Sequence, residues 1–206
     1  LIRAFDRDED IHALVASQIH DVSLAEVTDA MRRSAKAVNF GVIYGQSPFG
    51  LAKALHIDRE EAAEFIDAYF ARYPQIDAFL IKTLEECRKL GYVSTLFGRR
   101  REIRGIRSES TGRQRNLAER MAINTVIQGS AADLTKQSMI NISQRIDKEF
   151  FESKMLLQIH DELVFEVPPE ELEALETSVR HEMESVAKLA VPLKVDVKCG
   201  NTWAEI

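Results

Sequence analysis

The chain has 206 residues, 45% of them hydrophobic, and a net charge of −6, enough to bury a substantial core as one or two domains. Its longest apolar runs are a few residues, far short of the ~20 that a membrane helix needs. The opening LIRAFDRDED is too charged for a signal peptide, so a soluble cytoplasmic protein with no membrane partner is expected. Cys87 and Cys199 are widely separated without metal-ligand spacing, which argues against a disulfide framework or a zinc site.

The first residues mix apolar and charged positions and begin without Met, which reads as a piece of a longer protein. Helix signals dominate to about residue 90. Ser23 and Glu26 form the S-x-x-E capping-box pattern, Thr28 or Asp29 caps the next helix, and Gly45 fits its C-terminal end. Ser47-Pro48 supplies an N-cap followed by proline in the first turn, and Asp58 with Glu61 repeats the capping-box spacing. In that third helix Ala62, Phe65, Ala68 or Tyr69, and Arg72 keep helical spacing until Pro74 stops it; Ile76 to Leu90 is helical up to Gly91.

Tyr92 to Phe97 alternates like a short strand, and RRREIRGIR makes an arginine-rich loop. From Arg113 to about Phe151 an apolar stripe marks a long helix, with Gly129 a point where it can break. MLLQI and LVFEV flank His160-Asp161-Glu162 as a β-hairpin with a polar turn. A glutamate-rich helix follows from Pro169, and VPLKVDVKCG alternates as a final strand. Helices first and strands last place the chain in the α+β class, an α-rich lobe attached to a small antiparallel sheet.

Charge is segregated along this order. Residues 88–120 hold ten Arg or Lys against three Glu, whereas Glu166, Glu170, Glu171, Glu173, Glu176, Glu182 and Glu184 cluster near the C-terminus. One face then attracts a phosphate backbone while another stays solvated.

The most informative segment is RRSAKAVNFGVIYG, residues 32–45, in which Arg32, Lys36, Phe40 and Tyr44 recur every four residues. At ~100° per residue they form one slowly drifting stripe, cationic at one end and aromatic at the other. The first half suits phosphate oxygens and the second suits stacking on a base or sugar, the order of groups in a nucleoside triphosphate. An amphipathic helix that packs Phe40 and Tyr44 in a core, with Arg32 and Lys36 at its edge, has the same pattern. Asn39 and Gly41 are poor helix formers, so helix stability does not explain them.

Two further groupings carry chemistry. A hairpin turn at His160-Asp161-Glu162 projects a carboxylate from a rigid strand pair, which suits Mg²⁺, an ion that takes one or two protein carboxylates plus substrate phosphates; turns also favour Asp for hydrogen bonding alone. Arg120, Asn124 and Gln128 recur at four-residue spacing; each alone fits a solvated helix surface, while as a set the Asn and Gln amides reach the minor-groove acceptors common to every base pair.

These strings resemble family A DNA polymerases, the bacterial DNA polymerase I type. RRSAKAVNFGVIYG resembles the nucleotide-binding helix of that family's fingers; single-subunit phage-type RNA polymerases share its Arg, Lys and Tyr-Gly frame, but the Asn39-Phe40-Gly41 run is similar to the DNA enzymes. LLQIHDELVFEV resembles the palm motif, ERMAINTVIQGSAADL the helix beside the primer-template, and GYVSTLFGRRR the segment between fingers and palm. The resemblance implies residues 1–111 as mainly fingers helices with a short connecting strand and Arg-rich loop. It implies 112–206 as the long helix with part of an antiparallel palm sheet.

It implies a DNA-directed DNA polymerase that adds deoxynucleotides to a primer 3′ end in replication and repair, with deoxynucleoside triphosphates, primer-template DNA, and the upstream palm and thumb of the same parent chain as partners. His12, Arg32 and Lys36 would meet the triphosphate. The acidic DRDED beside His12 would tend to keep it protonated, and could equally make it a local ion-pair partner. Lys36 is also placed to donate a proton to pyrophosphate. Phe40 and Tyr44 would shape the nucleotide pocket. Arg120, Asn124, Gln128 and His160 would meet the DNA, Asp161 would hold Mg²⁺, and Glu162 would be an accessory carboxylate. The family's second aspartate, on an Asp-Tyr-Ser-Gln-Ile-Glu-type strand, has no counterpart before His12; Asp6, Asp8 and Asp10 lack an apolar strand around them and are not assigned that role. These 206 residues alone are therefore expected to be inactive in polymerisation, and a non-catalytic nucleotide- or DNA-binding module is the alternative.

Overall fold

The computed structural model describes residues 1–107, 112–149 and 152–205. They divide into two compact units, residues 3–129 with Leu1 and residues 130–206 with Ile2. Helices alternate with short loops through the first unit, and the two small sheets among the described residues are each a single antiparallel hairpin, which makes the chain α+β.

The first unit opens with α1 (Ile2–Asp6), Ile2 apart, and α2 (Ile11–His20). Asp10 caps α2, its carboxylate accepting the backbone N–H groups of His12 and Ala13 at 2.9 and 3.0 Å. After a 3₁₀ turn, α3 (Asp29–Ile43) starts where Thr28 Oγ1 accepts from the Met31 N–H. Ser47 caps α4 (Pro48–Leu55) in the same way through Gly50. Asp58 occupies the N-cap of α5 (Arg59–Arg72), but its side chain makes no capping hydrogen bond, so that capping box is not formed. Pro74 both ends α5 and opens α6 (Pro74–Leu90), two residues earlier than expected, because a first-turn residue needs no N–H donor. Val15, Ala16, Val38, Val42, Leu51 and Tyr69 form the core that joins α2 through α5.

The arginine-rich run is not all loop. Arg100–Glu102 is a strand, β2, paired antiparallel with β1 (Tyr92–Ser94), with Arg101 opposite Val93. Strand β1 stops at Ser94 because Thr95 turns the chain: its carbonyl takes the Gly98 N–H and its N–H donates to Arg99 O. Helix α7 (Gly112–Glu149) runs without interruption through Gly129; the expected extension to Phe151 lies outside the described residues. The glycine serves a close approach, since a Cβ at Gly129 would meet Thr95 Cγ2 at 2.9 Å.

In the second unit the C-terminal part of α7 packs Ile142 against Leu175 and Val179 of α8 (Leu172–Glu184). Met155, Leu163 and Phe165 of β3 (Lys154–Ile159) and β4 (Glu162–Glu166) pack on that cluster. A register shift leaves Leu156 unpaired between Met155↔Phe165 and Leu157↔Val164, a bulge that twists the hairpin. The Glu171 carboxylate accepts from the backbone N–H groups of Glu152 and Ser153, tying down the start of β3.

The final segment corrects the expectation of a third strand. Residues 192–198 alternate between exposed and half-buried, yet carry no ladder. Side chains of α8 take their place: Val195 N–H donates to Glu184 at 3.1 Å, and the Arg180 guanidinium donates to Val195 O.

Candidate nucleotide and nucleic-acid site

On α3 the buried residues are Ala35, Val38, Asn39 and Val42, the i, i+3, i+4, i+7 positions of a core face, together with Gly41. Arg32, Lys36 and Phe40 are exposed, Phe40 by 47%, and Tyr44 is half-buried. The stripe therefore lies outside the core, against the alternative that buried both rings. Phe40 and Tyr44 stack nearly parallel, with centroids 6.4 Å apart at 13°, forming a flat aromatic step of the kind on which a base or sugar rests.

Helix α2 brings His12 to this face. Its ring lies 5.7 Å from that of Phe40, and Nδ1 is 3.2 Å from Nδ2 of buried Asn39. Asn39 thus has its reason in a tertiary contact. The expectation that DRDED holds His12 protonated is overturned: partial burial pushes the imidazole below its usual value, and the Arg32 and Lys36 cations push the same way against Asp10. The Asp10 carboxylate is engaged by Arg32 instead, with Nε 2.6 Å from Oδ2. The Ala13 N–H and this guanidinium hold Asp10 below the ordinary carboxylate range. Lys36 has no carboxylate partner among the described residues, so its charge is available to an anion.

The aromatic end of the stripe is locked by a Schellman turn: the Gly45 N–H reaches Val42 O at 3.0 Å and the Gln46 N–H reaches Gly41 O at 2.7 Å, with Gly45 at φ +69°. Gln46 folds its side chain between Gly41 and Gly50. A Cβ at Gly41 would fall 2.3 Å from Gln46 Oε1, and one at Gly50 3.0 Å from Gln46 Cγ. The second poor helix former of α3 is thereby explained by close packing. A Cβ at Gly45 would meet Arg120 Cγ at 3.2 Å, so the end of α3 abuts α7 at Arg120.

Along α7, Arg120, Asn124 and Gln128 share a groove of about 510 Å³ with Arg99, Arg101 and Thr125. Arg101 donates to Thr125 Oγ1 at 3.0 Å and Arg99 to Gly129 O at 3.2 Å, fixing two guanidinium groups beside the amides. Among the described residues no acidic side chain lines it. Asn124 Oδ1 is buried without a hydrogen-bond partner among the described residues, a deficit that stability does not account for.

The second unit presents His160, Asp161 and Glu162, all exposed. His160-Asp161 is a two-residue loop closing the Ile159↔Glu162 pair, with His160 at φ +55° and its carbonyl accepting from the Gln158 amide at 2.7 Å. A left-handed residue other than glycine costs of order 1 kcal/mol or more. Neither Asp161 nor Glu162 has an ion-pair or side-chain hydrogen-bond partner among the described residues, and no cluster of three metal-ligating side chains occurs among them.

Sequence reasoning passed over Asp10, Gln46, Arg99, Arg101 and Thr125. Asp10 did carry a signal, an Asp immediately before an apolar-periodic run, but its pairing with a residue 22 positions on is tertiary. Arg99 and Arg101 were visible only as part of a basic run.

The sequence model of DNA polymerase family A matches residues 1–205. The chain is 49% identical over 203 residues to DNA polymerase I of Bacillus caldotenax, covering 98% of this chain and 23% of that protein. It is 47% identical over 205 residues to DNA polymerase I of Caldicellulosiruptor bescii, covering 100% of this chain and 24% of the relative. The chain thus spans about a quarter of the length of the curated relatives it matches. Among solved structures, the POL domain of Pol1 from M. smegmatis in complex with DNA primer-template and dNTP superposes with a TM-score of 0.89 at 44% identity, covering 94% of this chain and 34% of that one.

Proposed function

This chain belongs to DNA polymerase family A, and from that premise we propose that it supplies the triphosphate-binding fingers and part of the palm of an enzyme that extends a DNA primer with deoxynucleotides. Residues 1–111 are read as the fingers portion with its connecting hairpin, and 112–206 as the long helix with its palm portion. The observation that carries the reading is the stripe of exposed Arg32, Lys36 and Phe40 with half-buried Tyr44, cations and stacked rings outside the core face of α3.

In this role Arg32 and Lys36 neutralise phosphate oxygens as negative charge grows on the leaving pyrophosphate, acting as fixed donors that need no reorganisation. Lys36 can also deliver a proton to it. Neutral His12, carrying its proton on Nε2, adds a hydrogen-bond donor to the same anion. Phe40 and Tyr44 offer the incoming nucleotide an apolar step. In the groove, Arg99, Arg101 and Arg120 supply charge for a phosphate backbone. The amides of Asn124 and Gln128 suit acceptors that every base pair presents in the minor groove, so binding would be insensitive to sequence. His160 would approach the primer end.

Asp161 fits a hard divalent cation, being an exposed carboxylate on a braced turn without a competing partner among the described residues, and Glu162 stands beside it. A bound Mg²⁺ would lower the pKa of the primer 3′-hydroxyl and offset charge on the phosphates. One or two carboxylates do not clamp a pair of such ions, so the 206 residues by themselves are proposed to bind nucleotide without extending a primer.

Metal-dependent primer extension by the intact protein tests the proposal, with Asp161→Ala expected to abolish it. Nucleotide and DNA binding without extension, unchanged by Asp161→Ala, would favour a non-catalytic binding module.

A further inference from the structure

On the triphosphate reading of the α3 stripe, we infer that Asp10 is a positioning residue for Arg32 and His12, one carboxylate that sets both cationic-end groups of the site. Its two oxygens divide the work. Oδ1 accepts the His12 and Ala13 N–H groups and so fixes the first turn of α2, on which His12 rides. Oδ2 takes Arg32 Nε at 2.6 Å. The contact is through Nε alone, and the two Nη groups of Arg32 have no partner among the described residues. A guanidinium held in this way keeps the donors of its far end for a phosphate.

The opposite role is the one to exclude. A carboxylate on an arginine can act as a stand-in anion that a triphosphate must displace. Occupation of Nη1 and Nη2 would mean that; occupation of Nε leaves the fork open. The side chains of Arg32 and Asp10 are 45% and 42% exposed, so water screens the repulsion between Asp10 and an incoming phosphate. Ordering a side chain as long as Arg32 before the ligand arrives then decides the sign.

Asp10→Asn separates the two functions. Asparagine caps a helix as well as aspartate does, but once its oxygen serves the cap, its NH₂ faces Arg32 Nε as donor against donor. Titrating dATP and inorganic tripolyphosphate into the intact protein should show Asp10→Asn binding both roughly three- to tenfold more weakly, the cost of ordering one long side chain. Helix content and melting temperature should be unchanged, and the loss should vanish when Arg32→Ala is already present. Should Asp10→Asn lower the melting temperature, Asp10→Ser, which caps but has no second oxygen, is measured with the same expectations. Unchanged or tighter binding would overturn the positioning role, tighter binding identifying Asp10 as a mask on Arg32. A loss that persists in the Arg32→Ala background would overturn it as well. If the unsubstituted protein binds neither probe, the triphosphate reading itself falls and the role of Asp10 with it.

Discussion

The amide Nδ2 of Asn39 lies 3.2 Å from Nδ1 of His12, linking the buried face of α3 to α2. An amide NH₂ can only donate, so this is a hydrogen bond only while Nδ1 is unprotonated and the ring proton sits on Nε2. Burial and the neighbouring cations favour the same neutral state. The folded-state pKa is therefore below the usual 6.5, and the unfolded chain binds more protons in that window. Stability from this group is complete above 6.5 and is lost as pH falls through 6.5 toward the depressed folded value. Asn39→Asp, which sets a carboxylate against Nδ1, should raise the His12 pKa and reverse that slope. Imidazole shifts followed by NMR across pH 4 to 8 check it.

Lys36→Ala should remove roughly 2 to 4 kcal/mol of transition-state stabilisation, as loss of one fixed electrostatic donor does. Arg32→Ala should act similarly. Single-turnover incorporation by the intact protein measures both, and rates within about twofold of the parent would return these residues to an ordinary helix surface.

Gly45→Ala should destabilise the first unit by about 1 to 2 kcal/mol, because an L side chain at φ +69° is strained. Its Cβ also crowds Arg120 Cγ at 3.2 Å. Urea unfolding gives the magnitude. The Tyr44 ring should become more mobile, since the Schellman turn that ends its helix is lost.

Replacing Gly41 with Ala sets two effects against each other. Alanine is better in a helix by about 1 kcal/mol, but the new methyl lies 2.3 Å from Gln46 Oε1 and expels that side chain from its slot. Gly41→Ala should therefore gain little alone and stabilise by about 1 kcal/mol in a Gln46→Ala background. Additive effects in the double-mutant cycle would show that Gln46 does not occupy the slot.

Arg120→Ala, Asn124→Ala and Gln128→Ala should each weaken primer-template binding almost equally across base sequences. The Arg120 variant should also flatten the salt dependence by about one counterion. Binding curves on several primer-templates at two ionic strengths decide it; a variant that weakens only some sequences would contradict readout of shared acceptors.

Local rules made much of the fold legible. Capping residues and periodicity located α3, α4 and α7, because a cap and the face it starts lie within a few residues of each other. The α3 stripe and the His160-Asp161 turn were readable for the same reason: both are products of spacing. Family likeness in RRSAKAVNFGVIYG then assigned a chemistry that spacing alone left open.

Other properties had to wait for packing. The charge state of His12 follows from its burial, reinforced by Arg32 and Lys36, which are distant in sequence, and the acidic neighbours that suggested the opposite are a local cue that these overcome. Gly41 and Gly129 look like helix defects until Gln46 and Thr95 are seen to approach them. The alternating segment 192–198 has the pattern of a strand without its ladder, since alternation reports which side is buried and not where the backbone hydrogen bonds go. Sequence determines what each short stretch prefers; which preference prevails is settled by contacts made across the chain, where desolvation and close packing outweigh local propensity.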